Sequence, residues 1–571
     1  QAVIRKYDQD ENVTNKKITN YDWDNNEVRE KRTPNSAERR YQKTLSKNFT
    51  LYADYKKNFN DRHDLSVMVG TSHESENYDR FTAKRINFDQ QENMSLQLGS
   101  AQDQNAWSEG NQWTINSFFS RVNYTFANKY VIEGTIRADG SSRFDPDHRW
   151  GWFPGVNAAW RVGEEGFMKR LGWFEDLKVR ASYGEMGNQS GIGLYDYIQL
   201  ISLSNDYYPF GTGVKGQMAT SGNIISTSRT WETIQTTNVG FDFSTLNNRL
   251  YGSFDYFWKE NKNMLIPKTY PSMLGADAPS TNSGHLSIHG WEISLGWRDQ
   301  IKDFSYSVRF NISDAKNKVV DRVGSNLIKL GNNETPTGYP LNSYFGYEFD
   351  GIIQNEQELE AYKSRFSEGG IPGDLSVGDA MYKDLDGDGK LSVLGDGKEG
   401  SGDVKYLGDK NPRYNFGFNL SMAWKGFDLS AFIQGVGRRT MFLEGESRCP
   451  MPEAWYQSAE YWYGKTWTPE RTDAQYPAIT LKDKRNYNYY VSTNTKFNVA
   501  YARLKNLQFG YTIPQTLTSK AGLQKVRVYF SGEDLFEVHN TPNGWDPEEN
   551  SGSITSYPFT RNYSFGINVV F

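Results

Sequence analysis

The feature that most constrains this chain is an alternation of apolar and polar residues with a period of two, repeated along its length. From Asn415 to Trp424 one set is Phe416, Phe418, Leu420, Met422 and Trp424, and the other is Asn415, Gly417, Asn419, Ser421 and Ala423. Val239, Phe241 and Phe243 alternate with Asn238, Gly240, Asp242 and Ser244. Phe254, Tyr256 and Trp258 alternate with Ser253, Asp255, Phe257 and Lys259, and Trp291, Ile293, Leu295 and Trp297 with Glu292, Ser294 and Gly296. Phe118, Val122, Tyr124 and Phe126, and likewise Leu177, Val179, Ala181 and Tyr183, repeat the pattern against Arg121, Asn123, Lys178, Arg180 and Ser182. Successive side chains of an extended strand point to opposite faces, so each segment builds a strand with one apolar and one polar side. Reading the whole chain this way predicts an all-β protein of about 16 strands.

Alternation alone also fits stacked sandwiches or a propeller. Composition separates these. Only 37% of the 571 residues are hydrophobic, yet there are 36 Tyr, 33 Phe and 16 Trp. A sandwich core is mainly aliphatic. A membrane barrel needs apolar residues at alternate positions only, and it carries aromatic girdles at both interfaces. The opposite face here holds Asn, Asp, Arg, Lys, Ser and Gly, which suits a wet lumen. On the lipid side Arg or Lys near the midplane would cost about 2–4 kcal/mol. No run of about 18 apolar residues exists, so a transmembrane helix is not expected, whereas strands of about 10 alternating residues also span a bilayer. With 64 Lys plus Arg against 69 Asp plus Glu, a net charge of −5, there is no basic field for nucleic acid. The single cysteine, Cys449, excludes an internal disulfide and a CxxC zinc or redox site.

Connection lengths point the same way. Tight turns at Asn128-Lys129, Asn247-Asn248 and Lys425-Gly426 alternate with long polar stretches, 184–231, 260–290, 346–412, 437–498 and 533–561. Short turns on one side and long loops on the other are the barrel pattern. At the end of the sequence Tyr563, Phe565, Ile567, Val569 and Phe571 form one stripe with a terminal aromatic. The N-terminal residues Gln1 to Arg5 show no basic-then-apolar export signal, which leaves a processed mature start or a fragment.

Ordered blocks across nearly the whole chain resemble one family, the TonB-dependent outer-membrane transporters of the SusC/RagA branch typical of Bacteroidetes. The blocks are Arg121-Val122-Asn123-Tyr124, Arg137-Ala138-Asp139-Gly140-Ser141-Ser142-Arg143-Phe144, Trp152-Phe153-Pro154, Leu177-Lys178-Val179-Arg180-Ala181-Ser182-Tyr183-Gly184, Trp231-Glu232, Leu504-Lys505-Asn506-Leu507, Val528-Tyr529-Phe530-Ser531-Gly532 and Asp546-Pro547-Glu548. The resemblance implies a barrel of about 22 strands around an N-terminal plug, so residues 1–571 would be its C-terminal part, short of about six strands, the plug and the TonB box. It further implies an outer membrane with lipid and lipopolysaccharide around the wall. Coupling would run to TonB–ExbB–ExbD, a SusD-like lipoprotein would form the lid in pairs that can dimerise, and the cargo would be oligosaccharides or peptides. The terminal stripe resembles the family's barrel-assembly signal. A relative that serves as a scaffold without transporting is the alternative.

Two local motifs stand out. Asp384, Asp386 and Asp388 occupy positions 1, 3 and 5 of a calcium-loop spacing, with Gly389 at the turn, the Lys390 carbonyl as a further ligand and Ser392 at position 9. Gly395 stands where the twelfth position calls for a bidentate Glu, with Asp396 or Asp403 as substitutes. Calcium here would be structural; the alternative is a solvated acidic turn without metal. Trp455, Tyr456, Trp462 and Trp467 gather in one long loop, with Tyr461, Tyr463, Tyr487, Tyr489 and Tyr490 nearby. Such rings suit sugar faces or apolar peptide side chains, or they pack the loop or meet the lid. Enzymatic motifs are missing: His285 and His289 lie outside any HExxH, and Gly187, Gly191 and Gly193 form no dinucleotide fingerprint.

Overall fold

The computed structural model describes residues 2–571 except 17, 22–26, 32–33, 103, 205–208, 211–213, 216–217, 223, 268–272, 274–278, 323–330, 332–334, 395–401, 453–457, 481–482 and 550–558. Its dominant element is a 16-stranded antiparallel sheet in which every strand pairs with its sequence neighbour in the wall. In chain order the strands are β1 (Ala2–Asn15), β2 (Ser36–Phe59), β3 (His63–Ile86), β4 (Gln104–Phe126), β5 (Tyr130–Ser141), β6 (Trp150–Arg161), β7 (Asp176–Asn188) and β8 (Glu232–Thr245). They continue as β9 (Leu250–Pro267), β10 (Ser280–Ile301), β11 (Phe304–Asp321), β12 (Arg413–Trp424), β13 (Phe427–Arg438), β14 (Tyr501–Ile513), β15 (Lys525–His539) and β16 (Asn562–Val570). The expected strand number agrees with this wall. No described helix is long and apolar enough to cross a membrane.

Registers carry the period-two pattern in unbroken rows from β4 to β12. One row passes from Phe126 through Tyr130, Trp160, Val179, Phe241, Phe254 and Ile293 to Ile312 and Phe416, each residue directly opposite the next. The adjacent row on the other face runs Arg180, Gly240, Asp255, Glu292, Ser313, Asn415. A slip of one residue would exchange these rows, so the burial of the apolar face in lipid fixes the register. Phe126 stacks on Tyr130, which stacks on Trp160, with centroids 6.3 and 6.4 Å apart, at the end of the wall that carries the tight turns. This is an interfacial girdle. The apolar face is open to its surroundings: Phe118, Ile132, Val156, Val239 and Phe565 are all exposed.

The turns explain the alternation of loop lengths. Asn128, Asn247 and Asn248 have φ of 57°, 58° and 60°, and Gly426 has 92°. Left-handed backbone of this kind matches the twist of a two-strand hairpin, and Asn and Gly tolerate it best. Five tight turns, β2–β3, β4–β5, β8–β9, β10–β11 and β12–β13, lie at one end together with the longer β6–β7 and β14–β15 connections, and the longest connections lie at the other end. β2, β3 and β4 are 24, 24 and 23 residues long. About 9–11 residues suffice to span, so these strands carry the wall well above the hydrocarbon on the long-loop side.

Inside the wall, large rings lie across glycines of the neighbouring strand. A Cβ at Gly435 would sit 2.2 Å from Phe416 Cζ and 2.4 Å from the Tyr501 carbonyl oxygen, and one at Gly187 would sit 2.2 Å from Phe153 Cζ. Only a hydrogen fits there. Gly435→Ala is therefore expected to cost about 1–3 kcal/mol through overpacking, measured as a lower unfolding midpoint of the detergent-solubilised barrel.

The sheet is not closed by pairing among the described residues. β1 covers β2 only from Ser36 to Phe49, so residues Thr50–Phe59 are paired on the β3 side alone, and β16 is paired on the β15 side alone. Unpaired strand edges in hydrocarbon cost several kcal/mol per group.

Candidate functional site: the extracellular loop body and the lumen face

The two longest connections, β11–β12 and β13–β14, fold together into one body above the wall. Helix α1 (Glu356–Arg365) starts at Asn355, whose side chain accepts from the Glu358 amide at 2.9 Å while Glu358 reaches back to the Gln354 amide at 2.9 Å. This reciprocal cap satisfies amides that the first turn leaves open. α1 buries Leu359 and Tyr362 against Tyr347, Ile353, Tyr382 and Tyr487. A second cluster gathers Met441, Leu443, Cys449, Tyr461, Trp462, Tyr476, Tyr489 and Trp545. Buried hydroxyls find partners as burial requires: Tyr362 with Tyr487 at 2.7 Å, Tyr461 with Tyr476 at 2.7 Å, and Tyr382 donating to the Tyr487 carbonyl at 2.8 Å. Burial pushes the Tyr382 and Tyr487 phenols well above their ordinary range and takes Tyr362 up to about 12.

This arrangement decides where the sequence-predicted aromatics go. Trp462 and Trp467 are 3% and 9% exposed. Trp462 packs edge-on against Tyr476 and Tyr489, and Trp467 Nε1 donates to Gln354 Oε1 at 3.0 Å. Both rings hold the loop body together, the packing role that the sequence left open beside cargo contact. Trp455 and Tyr456 lie outside the described residues. Among the described rings of this segment, Tyr463, at 90% exposure, is the one presented outward.

The acidic loop hangs from the same body. Ligand oxygens of Asp384, Asp386 and Asp388 all lie within 4.8 Å of one another. Asp384 accepts from the amides of Gly387 at 2.7 Å and Gly389 at 3.0 Å, and Asp388 accepts from that of Lys390 at 2.8 Å. Gly387 and Gly389 both have φ of 75°, which suits a turn that wraps backbone around a point. Three hard oxygen donors in a tight turn match the donor set of a calcium loop. Asp403, the remaining described candidate, is fully buried and accepts instead from the Leu385 and Ser392 amides at 2.6 and 2.8 Å; desolvation raises its pKa. Gly395 and Asp396 lie outside the described residues.

Glu348 ties two hairpins of the body by accepting from Lys383 at 2.7 Å and from Lys405. These hydrogen bonds hold its pKa at about 2, against an ordinary 4.5. A depressed carboxylate stabilises above its unfolded pKa and loses that contribution as pH falls through the folded one. Protection of the 343–394 and 402–409 amides, taken as exchange relative to the intrinsic rate at each pH, is thus expected to fall between pH 4.5 and about 2, and Glu348→Gln is expected to weaken that dependence.

Below the body, the wall's inner face is ionic. Arg180 donates to Asp255 at 2.5 and 2.7 Å and to Asp242 at 3.3 Å, with Lys178 on Asp242 at 2.8 Å. Arg527 pairs with Asp428 at 2.5 and 2.9 Å. The largest network surrounds Arg503, whose side chain has no exposed surface. It meets Glu537 at 2.7 Å, Asp546 at 2.5 Å and Glu548 at 3.3 Å, under the Phe559 ring at 4.1 Å. Sequence reading picked out Asp546-Pro547-Glu548 as a block and Lys505 within another, but not Arg503, because nothing in one dimension brings these three segments together. The terminal stripe sits on the outer face of β16, with Tyr563, Phe565, Ile567 and Phe571 at 62%, 83%, 66% and 82% exposure and Val569 at 40%.

A sheet whose outer face is apolar, whose inner face is ionic and whose loops gather at one end defines a transmembrane β-barrel wall. Residues 5–535 match the family described as TonB dependent receptor-like, beta-barrel, and the chain belongs to that family as a barrel of the outer membrane. It is 31% identical to TonB-dependent receptor P3 of Formosa agariphila over an alignment of 558 residues that covers 92% of this chain and 52% of that protein. It is 26% identical to TonB-dependent receptor SusC of Bacteroides thetaiotaomicron, over 92% of this chain and 50% of that one. The chain thus spans about half the length of these curated relatives. In fold it is similar to the structure of the RagAB peptide transporter, with a TM-score of 0.81 and 22% identity, covering 100% of this chain and 59% of that one.

Proposed function

We propose that this chain forms most of the wall of an active importer, SusC-like in operation, that takes up oligosaccharides or peptides too large for porins. The polar row on the inner face, with Arg180, Asp255 and Glu292 in it, carries this reading. Arg180, Asp255, Glu292 and their neighbours cross the wall at mid-height, where a solid protein core would exclude them and a water-filled passage accepts them. Family membership supplies the energy source: TonB, driven by ExbB and ExbD, acting on a plug. A SusD-like lipoprotein would close the long-loop end from outside. Plug, TonB box and about six closing strands lie outside residues 1–571 in this reading, because the edges at β1, the uncovered part of β2 and β16 must pair before the wall can sit in lipid.

Calcium at Asp384, Asp386 and Asp388 belongs to the same proposal. With Lys390 supplying a carbonyl and Ser392 an outer contact, the ion would stiffen the loop and take no part in transport chemistry. Added calcium at about 100 times its Kd is expected to stabilise the full-length protein by about 2.7 kcal/mol, and Asp384→Asn with Asp388→Asn to abolish the response. A calcium-independent melt would remove the metal from the account.

Import itself is tested by uptake of labelled oligosaccharide and peptide libraries into cells, with and without a proton motive force. The proposal requires uptake that stops when the force is collapsed. A folded barrel with no energy-dependent uptake of either library would favour the scaffold role.

A further inference from the structure

The connection between β15 and β16 does not stand away from the wall as a free loop. Its described first part, residues 540–549, is held down on the inner face at three points. Arg503 and Lys505 reach it from β14: Arg503 binds Asp546 and Glu548, and Lys505 binds Glu548 at 2.8 Å while also meeting Asp534 at 3.0 Å. Lys505, two residues beyond Arg503, falls on the same face by ordinary alternation, and the bulge between Leu504 and Asn506 shifts the phase of the strand after it. Arg439, just past β13, donates to the carbonyls of Pro547 and Glu549 at 2.8 and 2.9 Å. From above, Trp545 (6% exposed) packs edge-on against Tyr461 of the loop body at 5.7 Å.

The side of the wall is fixed by register. Glu537 lies opposite Arg503, and its neighbours Phe536 and Val538 are each 62% exposed on the apolar face. Arg503, Glu537 and the carboxylates they meet are therefore on the lumen side. Beside the segment is a cavity of about 580 Å³ lined by Glu537, His539, Asn543, Asp546, Phe559 and Arg561 among others. A loop anchored on the lumen side of a barrel reduces the open cross-section at that height.

We infer that residues 540–549 form an inward-folded constriction, seated on Arg439, Arg503 and Lys505, which limits the size of cargo that passes the extracellular mouth. The size limit rests on import through this barrel; the inward position of the segment does not. Local segments open from a folded frame with their own free energies, so cutting the seat frees the segment while the wall persists.

The test uses the full-length protein in intact cells. Asn543→Cys on the segment and Tyr463→Cys on the loop body are labelled with a small charged maleimide and with a large polyethylene-glycol maleimide; Cys449 is buried and serves as the unlabelled background. Both sites should take the small reagent. The large one should react with residue 543 at least about ten-fold more slowly than with residue 463. Asp546→Asn, Glu548→Gln and Arg439→Met together cut all three points of the seat while leaving the Arg503–Glu537 pair, so the wall still folds, as heat-modifiable migration would confirm. In that background the two sites should converge, and cells should become sensitive to a bulky glycopeptide antibiotic in a TonB-dependent manner. Equal large-reagent labelling of both sites in the parent overturns the inward position. Where the libraries show energy-dependent uptake, convergence without a change in antibiotic sensitivity overturns the size limit; where they show none, it is the import reading that fails, and the labelling alone decides the inward position.

Discussion

Replacing Arg503 with methionine is expected to destabilise the barrel by about 3–5 kcal/mol, because it leaves three carboxylates facing one another around a buried apolar chain. The Arg503 side chain is fully buried, while those of Glu537, Asp546 and Glu548 are 16%, 18% and 28% exposed. Some of the repulsion will be relieved by proton uptake, so the loss should be greatest at neutral pH and smaller in mild acid. Adding Glu537→Gln, Asp546→Asn and Glu548→Gln to the methionine variant should recover most of the stability, since the desolvated charges then disappear together. Unfolding midpoints of the three proteins in urea, with the slope held constant, measure this. If the single variant melts with the parent, the network contributes nothing and the three carboxylates are solvated.

The second large effect is expected on the other face. Val239→Arg places a guanidinium on the lipid side at mid-wall, between Ala181 and Tyr256, at a cost of about 2–4 kcal/mol. Ser253→Arg, on the lumen side opposite Asp242, should lie within about 0.5 kcal/mol of the parent. Refolding yield into lipid vesicles and the denaturant midpoint read both. Equal tolerance at the two positions would mean that the faces do not differ in solvent.

Much of this architecture is legible in the sequence because a membrane barrel obeys a local rule. Lipid contacts each strand separately, so every strand must carry its own alternation, and Phe416 through Trp424 state it in ten residues. The tight turns are local for the same reason: Asn247-Asn248 and Lys425-Gly426 need only their own backbone to adopt left-handed φ. Calcium-loop spacing is local too, and Asp384, Asp386 and Asp388 do come within ligand distance of one another. What the sequence hides is contact between distant segments. Trp462 and Trp467 look like cargo contacts when read along the chain. Packing, the other reading open for these rings, is decided once Gln354 arrives from the β11–β12 connection and the loop folds back to bring Tyr476 onto Trp462, because a ring beside polar groups reads the same whether protein covers it or water does. Arg503 shows the converse. One arginine in Tyr501-Ala502-Arg503-Leu504 carries no signal until Asp546 and Glu548 fold back across the wall.

The account stands most directly on solvent at alternate residues of one strand. In the full-length protein reconstituted in a bilayer, nitroxide labels placed singly from Thr237 to Ser244 should alternate. Thr237, Val239, Phe241 and Phe243 should be relaxed by oxygen dissolved in lipid, and Asn238, Gly240, Asp242 and Ser244 by a water-soluble nickel complex. A scan in which both sets report one environment would contradict the barrel, and with it the passage proposed here.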